Sequence, residues 1–387
     1  MARPRKPQKL LGIERRGESY SYRLRVPDPA KPQGSKQVRF GGFATPEEAD
    51  KDRAKRKIEL YERRFVLPTQ MTVRDFFPES LERHFIYKEI RPQTRADYAL
   101  HLKAYILPRI GHLLLQECST EILESLFIEL QKSGSKLGTE LSGGVLEKIS
   151  IVLGIGFKEA HRKRLLGFNP MTEVRIPKGS KKKIAHFSDI ELRKLQIAWQ
   201  KSKFADFFEL ASVTGARKGE LFALRWSDFD EQERTLSISK TLYDLGNERV
   251  ENSPKSPNSV RKIEVTTSQC QRLKAYKARQ TQARLKAGAV WRNDDYLFTD
   301  EIGRPLSKDS VYYEWRKICR KAGVGLKHLH ALRHTHITAL LQAGVQPYVV
   351  AQRAGDKVIT ILTTYAHAIR EDDSACAELF ERKMASL

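Results

Sequence analysis

The sequence predicts a mainly α-helical chain with small β-sheets, laid out in three successive segments. Three observations carry this reading. Tyr20 to Val26 alternates apolar residues (Tyr20, Tyr22, Leu24, Val26) with Arg23 and Arg25, the period of a half-buried strand. From about 67 to 176 apolar residues recur at helical spacing instead. After a short basic linker, Ser188 and Glu191 form a capping box that opens a third, mostly helical stretch.

The first segment, 1–66, begins with a basic arm (Arg3, Arg5, Lys6, Lys9). The strand at Tyr20 is followed by a second, Gln37 to Phe40, which ends at Gly41-Gly42. Thr45-Pro46-Glu47-Glu48 then supplies an N-cap, a proline at the first helical position and a glutamate at the third. A small sheet with one packed helix follows from this. The segment holds 18 basic against 9 acidic side chains, and Arg23 and Arg25 are its candidate nucleic-acid contacts.

The second segment, 67–176, reads as a helical bundle. Tyr98, Leu102, Tyr105 and Ile106 share one face, as do Leu123, Leu126, Phe127 and Leu130. A further helix is expected from about Gly144 to Leu166, with Val145, Ile149, Val152 and Leu153 inside. Its end is basic, making Lys163 and Arg164 candidate DNA contacts, and Asn169-Pro170 stops it. The linker, 177–184, adds Lys181 and Lys182 to the same set. In the third segment, 185–387, a small sheet is expected from about Thr235 to Val265. A final helix is expected from Glu371, with Ala377, Phe380 and Met384 on one side.

Composition narrows the function. The 387 residues contain 70 Lys and Arg against 47 Asp and Glu, a formal charge of +23. Such an excess favours polyanionic partners, nucleic acid first and anionic membrane second. No run reaches the roughly 18 apolar residues a spanning helix needs, and no apolar h-region follows the basic start. Cys118, Cys270, Cys319 and Cys376 form no CxxC pair, which argues against a zinc ribbon or disulfide framework and for a reducing compartment.

Four features of the third segment carry chemistry. In Thr214-Gly215-Ala216-Arg217-Lys218-Gly219-Glu220-Leu221, a glycine turn places Arg217 at a helix start, suited to a phosphate oxygen, with Glu220 near enough to orient it. Lys255, in Pro254-Lys255-Ser256, lies at the tip of a loop between two expected strands. His328-Leu329-His330-Ala331-Leu332-Arg333-His334-Thr335-His336 puts His330 and Arg333 on one helical face. His330 and His334 also have the spacing of zinc-binding helices, but the glutamate of an HExxH site is missing, so no metal is expected. Last comes Thr363-Thr364-Tyr365-Ala366-His367, a tyrosine near a helix end.

Taken in order, Arg217, Lys255, His330, Arg333 and Tyr365 resemble the set that marks the tyrosine recombinase (phage integrase) family. The resemblance covers nearly the whole chain and is sharpest at Thr214 to Trp226 and at His330 to Thr335. It implies an arm-type DNA-binding domain for 1–66, a helical core-binding domain for 67–176 and an α+β catalytic domain with a tail helix for 185–387. Two arginines, Arg217 and Arg333, would clamp the non-bridging oxygens of a phosphodiester while Tyr365 attacks phosphorus. Lys255 would protonate the leaving 5′-hydroxyl, and His330 would handle the tyrosine proton or brace the phosphate. Glu220, Asp356 and His367 are candidate supporting residues.

The resemblance implies double-stranded DNA with core and arm sites as substrate, a tetramer on DNA and an accessory DNA-bending protein. It implies no cofactor, no metal and no membrane, and a cytoplasmic setting in a bacterium or phage host. A type IB topoisomerase shares the chemistry, and a silent DNA-binding regulator would share the fold. One departure stands out: where the family has Leu-Gly-His or Leu-Gly-Trp, this chain has Ala354-Gly355-Asp356. A carboxylate there repels phosphate unless an arginine, Arg353 or Arg333, neutralises it.

Overall fold

The computed structural model describes residues 12–27, 34–62, 64–135, 138–178, 185–245, 248–252, 260–368 and 380–385. The chain divides into two compact units, Met1–Lys181 and Lys182–Leu387.

The N-terminal unit opens with an antiparallel sheet of β1 (Ile13–Arg16), β2 (Ser19–Pro27) and β3 (Ser35–Phe43) in that order. β1 was not anticipated from the sequence. Tyr22, Leu24 and Val26 are buried and Arg23 and Arg25 exposed, as the alternation predicts. Helix α1 (Pro46–Tyr61) packs on the apolar face, and its N-cap Thr45 accepts from Glu48 N. The Tyr22 hydroxyl donates to Asp52, which also accepts from Arg56 Nε at 2.8 Å, while the Arg56 guanidinium lies 4.2 Å over the Phe40 ring.

The bundle follows: α2 (Val73–Tyr87), α3 (Pro92–His101), α4 (Leu107–Ile110), α5 (Thr120–Ser133) and α6 (Gly143–Arg162). One π-turn, Leu102–Ile106, joins α3 to α4. Pro108 has no N–H to give the preceding turn, and the ladder there widens to i→i+5. Leu102, Ile106, Leu123, Leu126, Phe127, Leu130, Ile149, Val152 and Leu153 fill the core, while Tyr98, Tyr105 and Val145 are half-buried at its margin. The Phe77 and Phe157 rings meet edge to face at 5.1 Å. A Cβ at Gly156 would lie 2.5 Å from the Phe77 ring, so this helix carries glycine where the ring rests on backbone. α6 stops at Arg162, four residues short of Leu166, because Lys163 caps it and Arg164 turns to φ 59°.

The C-terminal unit begins with α7 (Asp189–Trp199), whose Ser188–Glu191 capping box forms, and α8 (Ala205–Thr214) and α9 (Lys218–Ala223) follow. The region from Thr235 to Val265 resolves into two sheets. β4 (Phe229–Asp230), β5 (Thr235–Ile238) and β8 (Arg261–Glu264) form one antiparallel sheet; β6 (Thr241–Leu245) and β7 (Glu248–Asn252) form a separate hairpin. Helices α10 (Thr267–Ala287), α11 (Lys308–Lys321), α12 (Ala331–Gln342), α13 (Pro347–Ala354) and α14 (Val358–Tyr365) complete it. A large core unites α7 to α11 with the sheet. A smaller cluster, including Ile337, Leu341, Val350, Ala351, Ile361 and Tyr365, joins α12, α13 and α14.

Of the expected final helix, residues 380–385 are helical, with Phe380 and Met384 exposed; Ala377 lies outside the described residues. Cys118, Cys270 and Cys319 are buried free thiols. Among the described residues, no helix is long and apolar enough to cross a membrane.

Candidate active site

Two glycine-terminated helices deliver the charged groups. α8 ends on Gly215 in the left-handed region (φ 61°), and the chain re-enters a helix with Arg217 as its cap. Glu220 accepts from the Arg217 backbone N–H and from its Nη1, both at 2.9 Å. That N–H is therefore occupied rather than left for a ligand. Glu220 also receives Arg261 Nη2 at 2.9 Å, and both side chains are nearly inaccessible, 6% and 4% exposed. Burial alone would raise the Glu220 carboxyl; Arg261 and then Arg217 hold it below the ordinary range.

Arg333, in the first turn of α12, is 3% exposed. Its Nη1 donates to Gly215 O at 2.7 Å and its Nη2 to Asp356 Oδ2 at 2.5 Å. α13 likewise ends on a left-handed glycine, Gly355 (φ 66°), whose carbonyl accepts Arg217 Nη2 at 2.9 Å. Asp356 comes next, and its Oδ1 accepts that same Arg217 Nη2. One carboxylate thus bridges the two arginines of the sequence motif. Of the two partners expected for Asp356, Arg333 is found; Arg353 instead donates to Val213 O at 3.1 Å and sits 3.3 Å from His336 Nε2. Arg217 takes its place.

Tyr365 ends α14 with its ring packed in the small cluster and 3% exposed. Its Oη lies 2.6 Å from Nδ1 of His334, not of His330. Burial raises the phenol to about 12, and the charges of Arg333, Asp356 and Arg217 act on it in turn. His330 is exposed, its ring edge-on to His334 with centroids 4.7 Å apart. Among the described residues no three His, Cys, Asp or Glu side chains gather as metal ligands.

The remaining candidates are spread more widely. Lys255 lies outside the described residues, between β7 and β8, strands of different sheets. Lys181, Lys182 and the His367 side chain are also outside them. Lys163 is half-buried with Nζ 5.3 Å from the centre of the Phe76 ring, and Arg164 is exposed. Arg23 and Arg25 face outward from β2, and Arg23 stands opposite Arg39 on β3. Like charges paired across strands repel; Glu14 lies 3.5 Å from Arg39 and 3.9 Å from Arg23. Sequence reasoning passed over Arg39 and Arg261, and weighed His334 only as half of a zinc-spaced pair. Only His334 carried a signal, its place in the histidine run.

A model described as the phage integrase family matches residues 178–371, and the chain belongs to that family, the tyrosine-type site-specific DNA recombinases. A tyrosine recombinase XerC-like protein of Caldanaerobacter subterraneus subsp. tengcongensis is 30% identical to it, over 74% of this chain and 77% of its own. The ICEBs1 integrase of Bacillus subtilis is 24% identical over 71% and 74%. The fold is also that of the Tn1549 transposon integrase in complex with a circular intermediate DNA. The TM-score is 0.65 at 19% identity, covering 81% of this chain and 100% of that one. A lambda integrase dimer bound to a core site gives 0.57 at 17%, covering 94% and 96%. The protein is accordingly an enzyme of site-specific DNA recombination.

Proposed function

We propose that the protein cuts and rejoins DNA through a 3′-phosphotyrosine at Tyr365, with Arg217 and Arg333 holding the scissile phosphate. The observation that carries this reading is the bridge. Two guanidiniums from different helices converge on the two oxygens of one acidic group, in the neighbourhood of a buried tyrosine hydroxyl. An arginine pair fits phosphate oxygens with directed N–H donors, which matters most as their charge grows in the transition state.

The Tyr365 oxygen bonds to phosphorus as the bond to the 5′ oxygen breaks, and Lys255 supplies the proton that leaving oxygen needs. The phosphotyrosine conserves the bond energy, so religation needs neither ATP nor metal. Glu220 and Arg261 fix Arg217 from behind. In the free protein Asp356 holds the place of the phosphate between the arginines and gives way to it on DNA. His367 is retained as a supporting residue.

The substrate is double-stranded DNA with core and arm sites. The outward face of β2 and β3, with Arg23 and Arg25, takes the arm site; Lys163, Arg164, Lys181 and Lys182 follow the core-site backbone. Recombining two duplexes breaks four strands, so the enzyme works as a tetramer on DNA, aided by a DNA-bending protein, in the cytoplasm of a bacterial host.

The test is a nicked duplex built from the DNA flanking its gene, incubated with protein and run on a denaturing gel. The wild type should give a covalent adduct; Tyr365→Phe should give none while binding the same DNA equally well. An adduct from Tyr365→Phe would place the nucleophile elsewhere. Asp356 in the arginine bridge also favours a second reading, a silent DNA-binding regulator, and a wild type that binds without any adduct would establish it.

A further inference from the structure

The proton of Tyr365 has a nearer destination than the motif suggests. We propose that His334, not His330, is the catalytic residue that accepts it; this rests on Tyr365 being the nucleophile. The two side chains meet across α12 and α14, with Nδ1 of His334 2.6 Å from the phenolic oxygen. Such a distance serves direct proton transfer. The tyrosine ring is wedged among Ile337, Leu341, Ile361 and their neighbours, so its hydroxyl has a fixed outlook.

The electrostatics agree with the geometry. Four groups besides the tyrosine face His334. Arg333 and His186 disfavour a positive imidazole, Asp356 favours it, and the His330 ring packs edge-on against it. Burial is the largest influence, and the net effect lowers its affinity for protons. A neutral imidazole with its proton on Nε2 then offers Nδ1 as acceptor. The phenol needs one: raised to about 12, only about one molecule in 10⁵ would be ionised at pH 7 without help.

In the step itself, the Tyr365 oxygen forms its bond to phosphorus, its proton passes to Nδ1 of His334, and the bond to the 5′ oxygen breaks. On religation the imidazolium returns that proton to the departing phenolate. His330, exposed and packed edge-on against His334, is left to brace the phosphate.

The experiment measures single-turnover adduct formation by the full chain on the nicked duplex, from pH 6 to 9.5. His334→Ala should slow it about 10²- to 10³-fold at pH 7, with DNA binding retained. Its rate should then climb about tenfold per pH unit, while the wild type stays flat above the histidine pKa. Fluorotyrosine at position 365, a more acidic phenol, should restore at least about tenfold to His334→Ala and little to the wild type.

His334→Asn places an oxygen near Nδ1 but cannot take up a proton, so it should be as slow as His334→Ala. Wild-type rate in His334→Asn would overturn the proposal, since the histidine would then only position the hydroxyl. A His334→Ala profile parallel to the wild type, unmoved by fluorination, would overturn it as well. Failure of the nucleophile assignment shows separately, as an adduct that survives Tyr365→Phe.

Discussion

Glycine serves opposite ends in the two units. In the helical bundle Gly156 vacates space, and the Phe77 ring fills it to 2.5 Å of where a Cβ would stand. In the candidate active site Gly215 and Gly355 instead turn backbone carbonyls toward Arg333 and Arg217. The bundle is held by volume and the site by directed hydrogen bonds between charges. A volume tolerates trimming on one side if the other side grows. A bridge of two guanidiniums, two carbonyls and one carboxylate has no such slack, because all four Nη nitrogens have an assigned acceptor.

Lysine at either arginine tests the claim about direction most severely. Arg333→Lys and Arg217→Lys keep the charge but lose the paired donors. Each should cost on the order of 10²-fold or more in cleavage on the nicked duplex. A loss of only a few-fold would mean that charge suffices and that the site is looser than the bundle. Gly156→Ala tests the other side of the comparison. Its methyl meets Phe77 in a filled core, and denaturant unfolding should show a loss of about 1–3 kcal/mol. Adding Phe77→Leu should recover part of it, as volume-held packing permits; no recovery would show a constraint other than space.

The site should also respond to pH where the bundle's apolar core does not. Burial, helped by Arg353, lowers His336 from its ordinary 6.5 to about 4. Between those values the unfolded chain binds the proton and the folded one does not. This contribution to stability is therefore complete above about pH 6.5 and is lost as pH falls through 4, at up to about 1.4 kcal/mol per pH unit. Thermal melts of the wild type should fall over that window, and those of His336→Asn less steeply.

The smallest effect is expected at Asp356. Asp356→Asn should raise adduct formation a few-fold, as phosphate no longer competes with a carboxylate for the arginines, and Asp356→His should keep or raise it. If both substitutions abolish a robust wild-type cleavage, the carboxylate has an active part in the reaction.

The same contrast explains what the sequence made legible. Bundle residues such as Leu123, Leu126, Phe127 and Leu130 announce themselves because burial repeats with the helix period. Helix caps at Thr45 and Ser188 are equally local, with both partners within three residues. Arg217 and Arg333 stand out through the order of residue types that the family resemblance rests on, not through any period. What that order left open was the geometry. The Arg217–Asp356 contact joins positions 139 apart and Phe187 N–Thr335 Oγ1 joins positions 148 apart. No local pattern encodes such pairs. His334 shows the limit well: its sequence neighbours raised only a zinc spacing that lacked its glutamate, while its partner, Tyr365, lies 31 residues on. The left-handed turn at Arg164, which ends α6 early, left no mark that a polar basic run would betray.

The buried thiols have a practical consequence. Cys118 and Cys319 are pushed up by burial to about 12 and about 11, so at neutral pH almost none of either is the reactive thiolate. Cys270 shares their burial. A maleimide or an aromatic disulfide reagent should therefore pass over all three in the native protein and find them only after denaturation. With Cys376→Ser as background, a single cysteine introduced at an exposed position such as Tyr348 becomes the one labelled site. A dye there would report on the region between α12 and the tyrosine helix while strands are being exchanged, with the native thiols left silent.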